Sequence, residues 1–354
     1  RDCLLSRGLG DVYKRQERTN TWNLGLDVAM FNNRLTFSLD YFDSRSKDLI
    51  MPVTISSVYG TDCMYRNLGE VSNKGIEFGA QLALIQNRDF KWYVGGTIST
   101  NKNEVKSLGG ENSMILSMSD GSAVISEVGQ PLYSFYGYQT DGVFATDDAV
   151  VAAGKDGQAL TNAIGVAFAA GDMRFVDQNG DGKIDKEDRV NLGNALPDFY
   201  GTFYTNFQYK GLAVSAVFGY SKGNKMYNAV RRTMESMSDF SNQLTSVTRR
   251  WMYEGQITDI PRAVYGDPME NSRFSDRWIE DASYLKLKEL MVSYKFNLFA
   301  GTTVFVAAEN LFTATKYLGM DPETMYSYDS SMRGFDYGKI ASPRTVKLGF
   351  KVQF

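Results

Sequence analysis

The sequence has no histidine and only two cysteines among its 354 residues. Without histidine there can be no Ser-His or Cys-His nucleophile, no imidazole base and no histidine-ligated zinc. Cys3 and Cys63 are too few for a disulfide framework and lack a metal-ligand spacing. No apolar run reaches the roughly 18 residues that a membrane-spanning helix needs. These absences exclude several enzyme classes and a helical membrane protein.

Basic tracts are also lacking. The net charge is -3 and the pI is about 5.3, which argues against a nucleic-acid partner. The adjacent acids Asp147 and Asp148, or Glu280 and Asp281, could in principle form a glycosidase pair. Adjacent acids in loops are far more often solvated surface, so the sequence predicts no catalytic residues and no enzyme activity.

What the chain does contain is strict alternation of apolar and polar residues. Between Pro343 and Phe354, one face carries Val346, Leu348, Phe350, Val352 and Phe354, and the other carries Thr345, Lys347, Gly349, Lys351 and Gln353. In a transmembrane barrel, lipid contacts the apolar face of such a strand and a wet lumen contacts the polar face. Only helices and closed barrels satisfy their backbone in hydrocarbon, and helices are excluded above.

Similar runs pair through short turns along the chain. The first four pairs are 22–30 with 35–41, 76–84 with 90–98, 122–128 with 132–144, and 199–209 with 214–220. In the fifth pair, a run that ends at residue 296 turns near Ala300-Gly301 into the run 304–308. The run 343–354 is the last one. Long polar loops are expected at 46–70, 103–121, 145–198, 223–282 and 312–342. The sequence therefore predicts an all-β, antiparallel transmembrane β-barrel of about eleven strands with long extracellular loops. A soluble β-sandwich or β-helix is the alternative.

The first residues do not fit this pattern. Residues 1–16 resemble translated sequencing-adapter text, and we expect them to be non-native. The barrel domain is expected to span residues 20–354. Because no signal peptide precedes the first strand pattern, the chain is interpreted as a fragment.

Seven segments together resemble the SusC/RagA-type TonB-linked outer-membrane transporters of Bacteroidetes. They are RNLGEVSNKGIEF (66–78), GQPLYSFYGYQTDGVF (129–144), GDMRFVDQNGDGKIDKEDRVNLGNALPDFYGTF (171–203), RRWMYEGQITDIPR (249–262), SDRWIEDASYLKLKELMVSY (275–294), AENLFTATKYLGMDPE (308–323) and SPRTVKLGFKVQF (342–354). The resemblance implies the C-terminal half of a twenty-two-stranded barrel. The family's plug domain and TonB box would lie outside this segment.

By the same resemblance, the whole protein would import oligomeric nutrients, glycans or peptides, across the outer membrane of a Gram-negative bacterium. A SusD-like surface lipoprotein would act as a lid, and the TonB complex would act through the plug. The terminal strand ending at Phe354 resembles the signal read by the barrel-assembly machinery. A passive porin and a soluble calcium-stabilised adhesin are the alternatives, and the transported substrate is left open.

One motif has the spacing of a twelve-residue calcium loop. The expected ligands are Asp177, Asn179, Asp181, the Lys183 carbonyl, Asp185 and Asp188, with Gly182 at the sharp turn. Two features depart from the motif, since position twelve is Asp rather than Glu and no amphipathic helix precedes the loop. The alternative is a metal-free Asn-Gly/Asp-Gly turn. Calcium is the only cofactor that the sequence suggests.

Aromatic residues fall into two groups. Residues near the predicted strand ends are expected at the lipid–water interface, and they are Trp22, Trp92, Tyr209, Tyr220 and Phe354. Four others, Trp251, Tyr253, Trp278 and Tyr326, lie in or beside long loops, where they could stack on sugars or pack a loop core. The pairs Arg250-Trp251 and Arg277-Trp278 favour loop packing, with each guanidinium on the neighbouring indole.

Overall fold

The computed structural model describes residues 16–54, 58, 60, 63–296 and 301–352. Residues 1–15, Ala300 and Phe354 lie outside the described residues, and with them most of the segment expected to be non-native. The described part of the chain is mainly β. Its strands are β1 (Arg18–Met30), β2 (Leu35–Thr54), β3 (Cys63–Gln86), β4 (Phe90–Leu108), β5 (Ser113–Ser117), β6 (Ala123–Glu127), β7 (Ser134–Gly137), β8 (Thr140–Val143), β9 (Thr161–Asn162), β10 (Met173–Phe175), β11 (Lys183–Ile184), β12 (Val190–Gly193), β13 (Phe199–Tyr209), β14 (Leu212–Lys222), β15 (Lys225–Asn228), β16 (Ile279–Asp281), β17 (Tyr284–Phe296), β18 (Thr302–Thr315), β19 (Phe335–Asp336) and β20 (Thr345–Val352).

The helices are short. Two are α-helices, α1 (Asp147–Ala153) and α2 (Ala229–Glu235). The 3₁₀ helices with described bounds are Lys186–Asp188, Thr245–Arg249, Asp276–Trp278 and Ser330–Met332. Across the described residues, no helix is both long enough and apolar enough to cross a bilayer.

One antiparallel sheet dominates the fold. Its nine strands follow the order β1-β2-β3-β4-β13-β14-β17-β18-β20, and every neighbouring pair is antiparallel. Within the described residues, β1 and β20 each pair on one side only, so this sheet is open. The predicted antiparallel barrel wall is therefore present as a partial barrel.

The strand count differs from the prediction of about eleven. The runs at 122–128 and 132–144 are not strands of the large sheet, because β6, β7 and β8 belong to smaller sheets. The loop predicted at 46–70 is also shorter than expected, since β2 continues to Thr54 and β3 begins at Cys63. Alternation alone did not distinguish wall strands from strands within long connections.

Cross-strand register separates the two faces of the large sheet. Leu26 lies opposite Leu39, which lies opposite Phe78, and Phe78 lies opposite Ile98. A second row of cross-strand neighbours on the same face runs from β3 to β20. Its members are Leu82, Val94, Thr205, Ala216, Leu290, Ala308 and Val346. The opposite face carries Ser38, Gln81, Thr97, Thr202, Tyr204, Ser215 and Ser293. We call these the apolar face and the polar face.

Short turns gather at one end of the sheet. The β1–β2 turn holds Asn32 and Asn33 at φ angles of 55° and 63°, a region that asparagine enters more readily than most residues. Other short turns join β3 to β4 and β13 to β14. The turn predicted near Ala300 and Gly301 lies partly outside the described residues. We call this the turn end.

Long connections leave the other end, which we call the loop end. Three of them span residues 109–198, 223–283 and 316–344 and carry the smaller sheets. Side chains from all three share one hydrophobic cluster, named here the loop core. Its buried members are Val124, Phe135, Leu192, Tyr227, Ala229, Phe274, Trp278 and Phe335. The long connections therefore pack together as a folded body.

Two neighbouring residues of β17 test which face contacts lipid. Leu290 lies on the apolar face opposite Ala216, and Met291 lies on the polar face opposite Ser215. In the intact protein, Leu290→Arg is expected to lower the free energy of unfolding from a lipid bilayer by about 2 to 4 kcal/mol. Met291→Arg, a matched change of a neighbouring apolar residue, is expected to cost much less. Equal losses at both positions would contradict the assignment of faces.

Candidate functional site

Charged residues meet on the polar face near the loop end. Lys286 of β17 is only 2% exposed, and its Nζ lies 3.1 Å from Asp321 Oδ2 and 3.1 Å from Glu323 Oε2. Lys288, in the bulge that follows, also pairs with Glu323. These contacts tie the 316–344 connection to the wall. Burial alone would raise the pKa of Glu323, but hydrogen bonds from Lys288 and Lys286 outweigh it and hold the pKa below its usual value.

Two cavities lie beside these charges. The first, of about 470 Å³, lies along the polar face of β4, β13 and β14 and is bounded by Tyr284, Lys288 and Glu323. The second, of about 370 Å³, lies between Asn73, Asn103 and the long connections. Asn101, Leu196 and Arg333 line both, so the two cavities adjoin. Their volumes fall within the range of small-molecule sites.

A buried ion network supports the loop core. Trp278 is fully buried, and the Arg277 guanidinium lies 4.5 Å from its ring centroid. Arg277 and Arg231 both pair with Glu235, and Arg231 also pairs with Glu280. The expected stacking of Arg277 on Trp278 is therefore present. No such contact joins Arg250 to Trp251 within the described residues. Trp251 instead lies against Gly171, and Arg262 lies beside the same glycine.

The remaining loop aromatics are more exposed. Tyr253 and Tyr326 are 64% and 51% exposed, and the ring of Tyr326 lies 4.9 Å from that of Tyr337. Trp278 thus has the scaffold role favoured by the sequence, whereas Tyr253 has most of its side chain in solvent. Neither exposed residue lines the two cavities.

The predicted calcium loop is well ordered by its own backbone. Asp177 accepts hydrogen bonds from the Gly180 and Gly182 amides at 2.7 and 2.8 Å, and Asn179 accepts one from the Asp181 amide at 2.9 Å. The Asp181 carboxylate in turn accepts from the Lys183 amide. These bonds explain why this composition forms a tight turn with or without a metal.

The end of the calcium loop is capped. Asp185 and Asp188 form a capping box around the 3₁₀ helix, and Asp188 also accepts a bond from Gln178. Burial raises the pKa of Asp188 above its usual value. Across the described residues, no three acidic, cysteine or histidine side chains converge to hold an ion. The four aspartates among the six predicted ligands do not form such a group, and calcium binding at these residues stays a prediction.

The predicted interface aromatics lie at both ends of the apolar face. Trp22, which is 80% exposed, and Tyr220 lie toward the loop end. Trp92 and Tyr209 lie beside the short turns, where Trp92 Nε1 donates to Thr205 Oγ1 at 2.9 Å. Phe354 lies outside the described residues. These positions agree with two aromatic belts, whose contact with lipid stays a prediction.

The acidic pairs have structural partners. Asp147 Oδ1 accepts a hydrogen bond from the Ala170 amide, and Asp148 lies in the first turn of α1. Glu280 is held by Arg231, and Asp281 accepts from the Ser283 amide. Asp147, Glu280 and Asp281 therefore fix local loop geometry, whereas Asp148 is exposed.

Known proteins share this arrangement. A sequence model of the family "TonB dependent receptor-like, beta-barrel" matches residues 10–311. The chain belongs to this family. TonB-dependent receptor P3 of Formosa agariphila is 31% identical to this receptor barrel, over 96% of this chain and 34% of the relative. TonB-dependent receptor SusC of Bacteroides thetaiotaomicron is 27% identical, over 96% of this chain and 32% of the relative.

Solved structures agree on the fold of this receptor barrel. The RagAB peptide transporter superposes with a TM-score of 0.75 at 24% identity, covering 94% of this chain and 35% of that chain. The RagAB peptide importer in its closed-closed state gives a TM-score of 0.74 at 25% identity, with the same coverage. The chain thus spans about a third of the length of the relatives it matches. The expected family and antiparallel barrel fold are confirmed.

The calcium prediction can be tested on the intact receptor. Replacing both Asp177 and Asp181 with Ala removes two expected ligands and should abolish any calcium-dependent protection from proteolysis between Gly171 and Asn194. The control is Asp148→Ala, which removes an acid from the neighbouring helix and should leave protection unchanged. Identical cleavage of the wild-type receptor with millimolar calcium and with chelator would contradict calcium binding.

Lys286 provides a second test. Lys286→Met keeps most of the length of the side chain but removes its charge, which leaves the nearly buried Asp321 without its cation. Breaking such a pair costs about 3 to 5 kcal/mol. We expect faster proteolysis within 316–344 in the intact receptor. Lys316→Met, in the same connection and exposed, should have no such effect. Equal protection of both variants would show that the charge network does not hold this connection.

Proposed function

We propose that this chain forms part of the wall and loop region of an outer-membrane receptor that imports oligomeric nutrients, glycans or peptides, by a TonB-dependent mechanism. One observation carries the proposal: the polar face of a family-typical barrel wall holds two adjoining cavities directly beside the folded long connections. Oligomers arriving from the loop end would meet these cavities on the lumen side. The apolar face would contact the lipid of a Gram-negative outer membrane.

The proposed partners act at opposite ends of the molecule. A SusD-like lipoprotein would cover the loop end, where the loop core gives the long connections a stable surface. The names SusC and RagAB among the relatives support this arrangement, since the RagAB structures are described as a peptide transporter. The TonB complex would act through a plug domain, and the barrel-assembly machinery would read the C-terminal strand. Calcium at 177–188 would stiffen one long connection.

Energy dependence is the direct test of this function. In the source bacterium, deletion of the receptor gene should abolish uptake of its fluorescently labelled oligomeric substrate, found by screening glycan and peptide pools. A protonophore or loss of TonB should have the same effect, because import draws on the proton-motive force. Complementation with the wild-type gene is the control. Uptake that needs the receptor but survives both treatments would instead favour a passive porin.

A further inference from the structure

The two adjoining cavities on the polar face carry one unbalanced charge. Lys288 and Glu323 both line the larger cavity and neutralise each other as an ion pair. Arg333 lines both cavities but is exposed, and its guanidinium makes no ion pair or hydrogen bond with any residue that the structure describes. Among the described residues that line the smaller cavity, Arg333 is the only one that is charged at neutral pH. Each cavity therefore carries a net charge of about +1, located at their junction.

Asn101 adds an unfilled hydrogen-bond acceptor at the same junction. Its Oδ1 is buried and has no hydrogen-bond partner within the described structure. The neighbouring Asn103 differs, because its Nδ2 donates to Asn73 Oδ1 at 2.8 Å and its Oδ1 accepts from the Leu132 amide at 2.8 Å. A buried acceptor left unpaired costs about 1 to 3 kcal/mol. Because Oδ1 has almost no solvent-accessible surface, it pairs with a ligand hydroxyl only after the Asn101 side chain turns toward the cavity.

The rest of the lining is neutral and polar. The larger cavity presents the side chains of Thr97, Ser99, Tyr200, Thr202, Ser221 and Tyr284. The Thr97 and Thr202 hydroxyls hydrogen bond to each other at 3.1 Å, and the Tyr284 hydroxyl donates to Glu323 at 3.3 Å. Hydroxyl groups can donate or accept, which suits a ligand that does both. Leu196 and Pro197 are the only purely apolar side chains in this lining, so little of it would hold an apolar peptide side chain.

We propose that the junction of these cavities binds an acidic sugar unit, such as a uronate, of an oligosaccharide. Arg333 donates to the sugar carboxylate, and Asn101, once its side chain turns toward the cavity, accepts from a sugar hydroxyl through Oδ1. Arginine matches a carboxylate through two parallel N–H donors, which gives direction as well as charge. The proposal rests on the proposed import function and narrows its substrate class from oligomers in general to acidic glycans.

Binding to the intact receptor, purified in detergent with any co-purifying lipoprotein, tests the proposal. The probes are oligogalacturonate, oligoalginate and oligoglucuronate, each beside its carboxyl-reduced neutral form, together with an acidic peptide. We expect at least one acidic oligosaccharide to bind more tightly than its neutral form. Arg333→Gln should weaken that binding about ten- to hundredfold, as loss of a charged hydrogen bond predicts. The neutral form should bind the variant and the wild type alike.

Two further variants separate charge at the cavity from charge elsewhere. Arg344→Gln makes the same substitution at an exposed position of the same connection, outside both cavities, and should leave binding unchanged. Asn101→Asp sets a carboxylate beside Arg333 and should weaken acidic ligands while sparing neutral ones. Surface labelling confirms that each variant reaches the membrane at the wild-type level.

The outcomes distinguish this inference from the proposed function. The acidic-glycan site would be overturned if no acidic oligosaccharide bound better than its neutral form. It would also be overturned if Arg333→Gln and Arg344→Gln lost equal affinity for the acidic oligosaccharide. Neither result would contradict the proposed import. Tight binding of the acidic peptide with no glycan bound would overturn it in favour of peptide import. Failure of the deletion strain to lose uptake of any oligomer would reject the proposed function itself.

Discussion

Backbone pairing between neighbouring strands is the constraint on which the rest of the structure depends. In hydrocarbon each backbone donor and acceptor needs a partner within the protein, and an antiparallel ladder supplies one on each side of a strand. The ladder also fixes register, and register fixes which side chains share a face. Shifting one strand by a single residue would move Leu290 from the apolar face to the polar face and Met291 from the polar face to the apolar face. The segregation of the two faces therefore follows from eight strand pairings acting together.

Outside the wall, the long connections are free of that constraint and fold by ordinary core packing. Trp278, Tyr227 and Phe335 come from different parts of the chain but are fully buried together in the loop core. The Arg231, Arg277 and Glu235 network then pairs charges that this packing buries. Arg277 Nε and Nη1 stay buried without a hydrogen-bond partner among the described residues. Lys286 links the sheet to the long connections, because it belongs to a strand of the large sheet and its carboxylate partners belong to a connection. The cavities lie beside this contact between the large sheet and the long connections.

Most of the wall could be predicted from the sequence, because a period of two shows wherever one face meets apolar surroundings. The predicted pairings of 22–30 with 35–41 and of 199–209 with 214–220 are confirmed. The runs at 122–128 and 132–144 were wrongly counted as wall strands, since short alternating segments also form small sheets inside long connections. The cavities were not predictable: Lys288 and Glu323, which line the larger one, are 35 residues apart, and nothing local in the sequence pairs them. Asn101 and Arg333 stand out only in the structure, where Asn101 Oδ1 and the Arg333 guanidinium have no polar partner among the described residues.

Charge placement on the apolar face indicates how the wall sits in a membrane. On β14 the outward residues run apolar from Leu212 to Tyr220, and the next outward residue, Lys222, pairs with Asp281 at 3.7 Å. On β2 the outward run ends where Asp43 pairs with Lys74 at 2.9 Å. Leu212 to Tyr220 is about 26 Å along the strand, and a tilt of about 40° would reduce this to roughly 20 Å, near the height of an outer-membrane apolar band. Both ion pairs then fall at the headgroup level, and the cavities lie on the opposite face at that height.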